Sequence, residues 1–585
     1  MQEFYKNKKE LILPCILGAI YLLYIILTWG KWGNIIADCF REIIIPDALL
    51  QGKVLYSDIT CMYPPLAYQV NAVLFKLFGT SLNVLYLAGI TCSAVILSLL
   101  YVITKKYSST NTAFITVLSV MGIFTFRTIH LNSASWFFPY SYSFLYAFTA
   151  CFAAFYFYLR YSETQNKNYL YLSSLLTGLS AAFKLDLILF ALVPIGTAIK
   201  NRSLKDVLIS VLCFFAPTLA TYAIWLANGG SVELLKQQTN FLINFAKAPS
   251  VIEYNKLVLV QSINKYSLNV LSFSGTAFLY QITALTIFTG IILFINSKIK
   301  NKFFKGLLLL IAFLAGYIFI IQNIAVSHYK MNVHHNMAFL PYVLIYAALG
   351  ILALRSEKHD FTYKEKFYLI TTLSAFLMSY RIWAAVFISS IGNWIAILYW
   401  LALVYLLLEI MPELLPKLKE SVYTKFVAIV LLLYTFSFTT LYYTNAANMK
   451  IPVISSKGTL YGGNYTKTIN QTIKYISDNV SKDKTVLVAD EGLVFNYLTD
   501  RKTNLKYYAL IPHIIDTLGE AKVIEDLSAN LPDYVLITNN SYINVGYFGK
   551  DYAKNLLEFF EKKYDELCTI SENDGLEIRV LKLKD

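Results

Sequence analysis

The sequence predicts a mainly α-helical, polytopic transmembrane bundle of about 13 spans, followed by a small C-terminal extracytoplasmic α/β domain. Three observations carry that reading. Hydrophobic residues make up 57% of the 585 positions and charged residues 15%, with a mean hydropathy of +0.53; a soluble chain holds about 25% charged residues. Apolar runs of membrane-helix length recur through the first 444 residues. Those residues also hold 33 Lys+Arg against 17 Asp+Glu, whereas residues 445–585 hold 17 against 19. The excess positive charge thus lies in the hydrophobic part, where cytoplasmic loops collect Lys and Arg. No basic stripe lies on a soluble face, which excludes a nucleic-acid partner. The composition also excludes a disordered chain, and seven cysteines scattered from Cys15 to Cys568 exclude a disulfide scaffold.

A transmembrane helix needs roughly 20 mostly apolar residues. On that basis spans fall near 11–29, 82–104, 112–129, 141–159, 169–184, 187–199, 205–227, 271–297, 306–326, 337–354, 367–389, 394–411 and 426–444. The segment Phe183-Lys184-Leu185-Asp186 interrupts the fifth and sixth, which could form one broken hairpin. The first span is too long for a secretory signal peptide and lacks a small-residue cleavage site.

Loop charge sets the orientation. With the N-terminus inside, the cytoplasmic loops hold 21 Lys+Arg and the opposite side 12. An odd number of spans then places the 445–585 domain outside the cytoplasm, as in a bacterial-type cytoplasmic (inner) membrane protein. Two outer loops are long, covering about 30–81 and 228–270. The second reads as amphipathic helix from Val232 to Phe245 and from Val258 to Leu268. In the tail, strand candidates are Thr485–Ala489, Tyr534–Ile537 and Leu576–Val580, with helices at Tyr465–Asn479 and Tyr552–Tyr564. That alternation predicts a small α/β layer domain.

The candidate chemistry sits in the first outer loop. Asp38, Arg41 and Glu42 fall at spacings of three and four, which on a helix is one face. Two carboxylates and an Arg at the mouth of a membrane domain can serve a proton transfer and a phosphate contact. A solvated amphipathic helix lying on the membrane would show the same spacing.

The run from Asp38 to Gly79 resembles the first extracytoplasmic loop of GT-C superfamily glycosyltransferases, in particular bacterial relatives of protein O-mannosyltransferases and lipid A aminoarabinose transferases. The matching residues are Asp38, Arg41-Glu42, Gly52-Lys53-Val54-Leu55-Tyr56-Ser57-Asp58, Tyr63-Pro64-Pro65 and Phe78-Gly79. The tail is similar in Tyr497 to Lys502 and in Leu531 to Val535. There are departures. Eukaryotic-type mannosyltransferases place an Asp-Glu pair where Cys39 follows Asp38, and they insert β-trefoil repeats for which no loop here has room. Many bacterial relatives have Tyr-Gly-Pro where this chain has Tyr63-Pro64-Pro65. Protein is therefore disfavoured as acceptor, and a glycan or lipid of the envelope is favoured.

The resemblance implies an inverting glycosyltransferase that moves a hexose or pentose from a polyprenyl-phosphate donor to an acceptor hydroxyl, within membrane lipid. Phosphate is a weakly basic leaving group, so the demands are a carboxylate for the hydroxyl proton and cations for the phosphate. Asp38 is the candidate base. Arg suits phosphate because its fork matches the oxyanion, and Arg41, Arg127 and Arg381 lie at outer ends of spans, against positive-inside statistics. Lys184 and Asp186 read either as a cavity-lining pair near the donor phosphate or as a turn in the head-group zone. Glu42, Asp58 and Tyr63 are candidates for donor contact or loop positioning. No cofactor is required; a divalent metal is possible, with Asp38 and Asp58 as its oxygen ligands.

His328, His334 and His335 share one short outer loop but form no zinc motif. An acceptor- or donor-contacting role suits His328 or His335 better. Cys39 and Cys61 read as free thiols. The alternative function is a transporter or flippase for lipid-linked sugars, which should carry ionisable groups near mid-bilayer in several helices. A non-catalytic envelope scaffold would have no use for Asp38 beside Arg41 and Glu42. Loop charge makes a direct prediction: with cysteine placed at Ser356 and Ser481, an impermeant thiol reagent should modify only the second in intact cells. Labelling of Ser356 alone would reverse the orientation.

Overall fold

A computed structural model describes residues 2–128, 135–253, 340–355, 361–380, 392–414, 420–453, 455–504, 506–542 and 545–585, with scattered residues between 287 and 315. The described chain is mainly helical (69%). Six helices are long and apolar enough to cross a membrane: Glu10–Thr28, Leu82–Tyr107, Tyr142–Thr164, Leu204–Ala227, Gly392–Glu413 and Val422–Asn448. Each coincides with an expected span. The expected spans at 271–297 and 306–326 lie largely outside the described residues, so six is a count of the described residues alone.

The chain opens with α1 (Gln2–Thr28) and then builds two short helices into the first loop, α2 (Arg41–Leu50) and α3 (Leu66–Phe78). A bundle follows: α4 (Leu82–Tyr107), α5 (Thr110–Val120) extended by a π turn at Met121–Thr125, α6 (Tyr142–Thr164) and α7 (Lys167–Phe183). Ser81, Ser109 and Asn166 cap α4, α5 and α7 through their side chains, which satisfies backbone donors left open at helix starts. The expected break after Phe183 is present. Lys184 is extended, a 3-10 turn covers Leu185–Ala191, and α8 (Leu192–Lys200) and α9 (Leu204–Ala227) complete this part. Gly178 lets α7 and α9 approach so closely that a Cβ there would collide with the backbone of Phe214, the small-residue contact expected between membrane helices.

The second loop carries α10 (Val232–Lys247), matching the first amphipathic segment; the segment at Val258 to Leu268 lies outside the described residues. Further on come α11 (Leu340–Arg355), α12 (Tyr363–Met378), α13 (Gly392–Tyr405, continued by a π turn at Leu406–Ile410) and α14 (Glu420–Asn448).

After α14 the tail forms a four-stranded mixed sheet in the order β3-β4-β8-β7. Here β3 (Val486–Val488) is parallel to β4 (Tyr534–Thr538), and β8 (Ile578–Leu583) is antiparallel to both β4 and β7 (Tyr564–Ile570). A two-stranded ribbon, β1 (Ile451–Pro452) with β2 (Tyr461–Gly462), precedes it. The tail is fastened to the site end of the bundle at several points. Tyr461 N–H donates to Gly30 O (2.8 Å), Leu82 N–H to Lys457 O (3.2 Å), and Thr60 N–H to Lys506 O (3.0 Å). Ser250 N–H, just past α10, donates to Asp516 Oδ2 at 3.0 Å.

Candidate active site

The link from α1 to α2 is a stapled turn. Trp32 is buried, donates through Nε1 to Thr28 Oγ1 at 3.2 Å, and meets Tyr86 edge-on at 5.1 Å. Asn34 Oδ1 accepts from the N–H groups of Ile36 and Ala37, both at 3.1 Å. Asp38 then takes a left-handed conformation, φ 66°, which Asp tolerates better than most residues. Its carbonyl accepts from Arg41 N–H at 3.1 Å, and α2 starts there. Asp38 therefore precedes the helix. The expectation that Asp38, Arg41 and Glu42 share one helical face is corrected: Asp38 stands outside the helix at positive φ, and only Arg41 and Glu42 belong to the first turn of α2.

Arg41 is the centre of the site. Its Nη1 lies 3.2 Å from Asp38 Oδ1 and 3.2 Å from the Tyr140 hydroxyl. Its Nη2 pairs with Glu491 of the tail. The guanidinium is stacked between the rings of Tyr508 (4.5 Å) and Tyr140 (5.2 Å). Glu491 Oε1 also accepts from the Asp38 N–H at 2.7 Å, and Oε2 accepts from the Tyr542 hydroxyl at 2.9 Å. Arg41 and Glu491 are almost fully buried, whereas the Asp38 side chain is 31% exposed. That leaves one reachable carboxylate on a sealed ion pair.

Glu42 points into the protein. It is fully buried, its Oε2 accepts from Tyr142 N–H at 3.3 Å, and its Oε1 has no hydrogen-bond partner among the described residues. Burial pushes its carboxyl up to about 8, against the pull of that N–H and of Lys184 and Arg41. Lys184 Nζ sits 4.4 Å over the Tyr63 ring and 5.5 Å from Phe144, and 3.8 Å from Asp186. Lys184 and Asp186 are thus a buried pair. Tyr63 forms the floor under the ammonium and reaches the Tyr140 ring at 5.9 Å.

The other candidates fall elsewhere. Asp58 is exposed and closes its own loop, accepting from Val54 N–H at 2.8 Å and Ser57 Oγ at 3.3 Å. Each Asp58 oxygen keeps a lone pair beyond those two bonds, so this turn does not decide the expected metal site shared with Asp38. Among the described residues no group of three or more His, Cys, Asp or Glu is arranged to hold a metal ion. Arg127 is buried and makes no side-chain ion pair or hydrogen bond among the described residues. His328 and Arg381 lie outside the described residues. Cys39 and Cys61 are buried free thiols.

Glu491, Tyr508 and Tyr542 were not legible as site residues. One signal was available: Asp490-Glu491-Gly492 follows the carboxyl end of a parallel strand, the edge where open α/β sheets place ligands.

No protein-family model matches the chain, and no curated protein matches it. Solved structures do. The *Archaeoglobus fulgidus* oligosaccharyltransferase complexed with Zn and sulfate is 11% identical, with 96% of this chain and 72% of that chain covered, at a TM-score of 0.48. ArnT from *Cupriavidus metallidurans* bound to undecaprenyl phosphate is 11% identical over 97% of each chain, at a TM-score of 0.45. Its apo form is 10% identical over the same shares, at 0.42.

Two outcomes follow from the geometry. Because Glu42 keeps its proton up to about 8 while its ordinary value is 4.5, the unfolded chain ionises first. Stability then falls as pH rises from 4.5 to about 8, by up to about 1.4 kcal/mol per pH unit, and levels off above that. Glu42→Gln should flatten this slope in thermal midpoints recorded from pH 5 to 9; an unchanged slope would refute the assignment. Glu491→Ala leaves Arg41 buried without its tail partner and should cost about 3–5 kcal/mol, seen as protease sensitivity of the tail.

Proposed function

We propose that this chain is an inverting membrane glycosyltransferase that moves a sugar from a polyprenyl-phosphate donor to a hydroxyl of an envelope glycan or lipid. The observation that carries the reading is a half-open carboxylate, Asp38, held on a buried Arg41–Glu491 pair. A second buried cation, Lys184, is joined to it through adjacent rings: Arg41 lies over Tyr140, Tyr140 meets Tyr63 at 5.9 Å, and Lys184 lies over Tyr63.

In the proposed reaction the acceptor oxygen attacks the anomeric carbon from the face opposite the phosphate. The new C–O bond forms as the C–O bond to phosphate breaks, which inverts the centre. The hydroxyl proton passes to Asp38, and the bonding electron pair leaves with the phosphate. Arg41 is spent on Asp38, Tyr140 and Glu491, so its part is to aim the Asp38 carboxylate. The developing phosphate charge is assigned to Lys184, whose acidic partner among the described residues, Asp186, lies 3.8 Å away, against the two carboxylates held by Arg41. A protonated Glu42 beside it adds no repulsion. A flippase reading has less support, because these groups gather at one end of the bundle, beside the tail.

Asp38→Asn keeps the shape and removes the base. Donor binding should survive while transfer from polyprenyl-phosphate sugars falls by ~100- to 10,000-fold. Near-normal transfer by a folded Asp38→Asn protein would rule Asp38 out. Asp58→Asn should cost far less, consistent with its place in the Val54 turn.

A further inference from the structure

Gln238 breaks the pattern of its helix. Along α10 the residues that turn inward are Leu234, Gln238, Phe241 and Phe245, spaced as one helical face. The three apolar ones are half-buried, and Leu234 and Phe241 pack on the core. Of the 16 described residues of α10, Gln238 alone is buried. Glutamine mostly stays at surfaces, and a buried amide is costly unless it is hydrogen-bonded. Here the compensating bond goes to the first outer loop: Gln238 Nε2 donates to Cys61 O at 2.7 Å.

Cys61 begins the turn that carries Tyr63. Just before it Thr60 N–H donates to Lys506 O at 3.0 Å; within it Tyr63 N–H donates to Cys61 Sγ at 3.4 Å, and the Tyr56 hydroxyl donates to Tyr63 O at 2.8 Å. The ring held by this turn lies under the Lys184 ammonium at 4.4 Å and meets the Tyr140 ring, which lies against Arg41. The far half of α10 is anchored on the tail. Phe245 meets His513 edge-on at 6.2 Å, and Ser250 N–H, just beyond the helix, donates to Asp516 Oδ2 at 3.0 Å. One helix therefore ties the Cys61–Tyr63 turn to the tail segment whose Tyr508 covers Arg41.

We propose that Gln238 is a positioning residue for glycosyl transfer: by holding the Cys61 carbonyl it places the Tyr63 ring, and through that ring the Lys184 ammonium. The inference rests on the transfer reading given above and adds to it a residue of the second outer loop that acts at a distance. An apolar side chain at position 238 would complete the apolar stripe of α10 and spare the amide its desolvation. It would not hold a carbonyl. A hydrogen bond is directional, so the amide selects one seating of helix on turn where apolar contact alone would allow several.

The test uses full-length protein in detergent and Gln238→Met, which keeps the side chain's length and removes its donor. Cys61 is a free thiol, 1% exposed. Its alkylation by N-ethylmaleimide, read by peptide mass spectrometry, should become ~10-fold faster or more as the turn opens locally. Cys39, buried at the Asn34 turn, should react at the wild-type rate. With a polyprenyl-phosphate sugar as donor and envelope lipid extract as acceptor, the donor-saturated rate should fall by ~10- to 100-fold, the cost of a small misplacement. Donor affinity should stay within ~3-fold. Gln238→Glu has the original length and carries an O–H donor only when protonated, so its rate relative to the wild type should recover as the pH is lowered. Unchanged Cys61 reactivity in Gln238→Met overturns the anchor. Equal acceleration at Cys39 does so too, since Gln238 would then support the whole fold. Loosened Cys61 with an unchanged rate, or Gln238→Glu with no recovery, overturns the link to Lys184. A wild type that transfers no sugar overturns the transfer reading and the positioning role with it, while Cys61 still reports the anchor.

Discussion

The buried pair between Arg41 and Glu491 is the constraint on which the rest of the site depends. One partner comes from the first turn after the first membrane helix and the other from a strand end some 450 positions later. Burying two charges is favourable only when both are hydrogen-bonded as well as paired. Glu491 meets that condition through the Asp38 N–H and the Tyr542 hydroxyl. Arg41 meets it through Asp38 and Tyr140, with Tyr508 covering its face. Five groups from three separate stretches of chain must be in place at once. The tail is therefore a wall of the site as well as an appendage of the bundle.

That arrangement explains the strain at Asp38. A left-handed non-glycine residue costs free energy and persists only where its surroundings over-determine it. Here the Asn34 staple fixes the approach, Glu491 holds the Asp38 N–H, and Arg41 holds its carboxylate. A relaxed helical conformation at Asp38 would continue α2 one turn earlier and swing the carboxylate away from Arg41. The tail thus fixes the backbone that aims the Asp38 carboxylate.

The bundle was legible because membrane helices announce themselves by length and hydropathy, and six of the expected spans return as long apolar helices. The tail strands were legible from short β-branched runs such as Val486-Leu487-Val488. The first loop was legible only in part. Spacing put Asp38 and Arg41 in reach of each other, and they pair at 3.2 Å. Spacing also put Glu42 on one helical face with them, whereas Asp38 stands outside the helix and Glu42 is buried against the Tyr142 N–H. Glu491 was hidden for a different reason. Nothing local in Asp490-Glu491 distinguishes an acid that caps a strand from one that reaches another domain; only the docking of Tyr461 on Gly30 and Lys506 on Thr60 brings it to Arg41.

The charges form two sets, Arg41 with Asp38 and Glu491, and Lys184 with Asp186, and the proposed reaction moves negative charge between them. Before transfer the mobile negative charge is on Asp38, beside Arg41. Afterwards Asp38 carries the proton and the extra charge is on the phosphate, beside Lys184. The total does not change, so the site need not draw counter-ions from solvent during the step. What changes is which cation is used, and both are fixed in advance by ring stacking, Arg41 on Tyr508 and Tyr140, Lys184 on Tyr63 and Phe144. Stacked cations in a dry setting reorganise little, which is the condition under which electrostatic stabilisation of a transition state is largest. Glu42 lies between the two sets, and its high proton affinity keeps a third negative charge out of the path along which the reaction's own charge must travel.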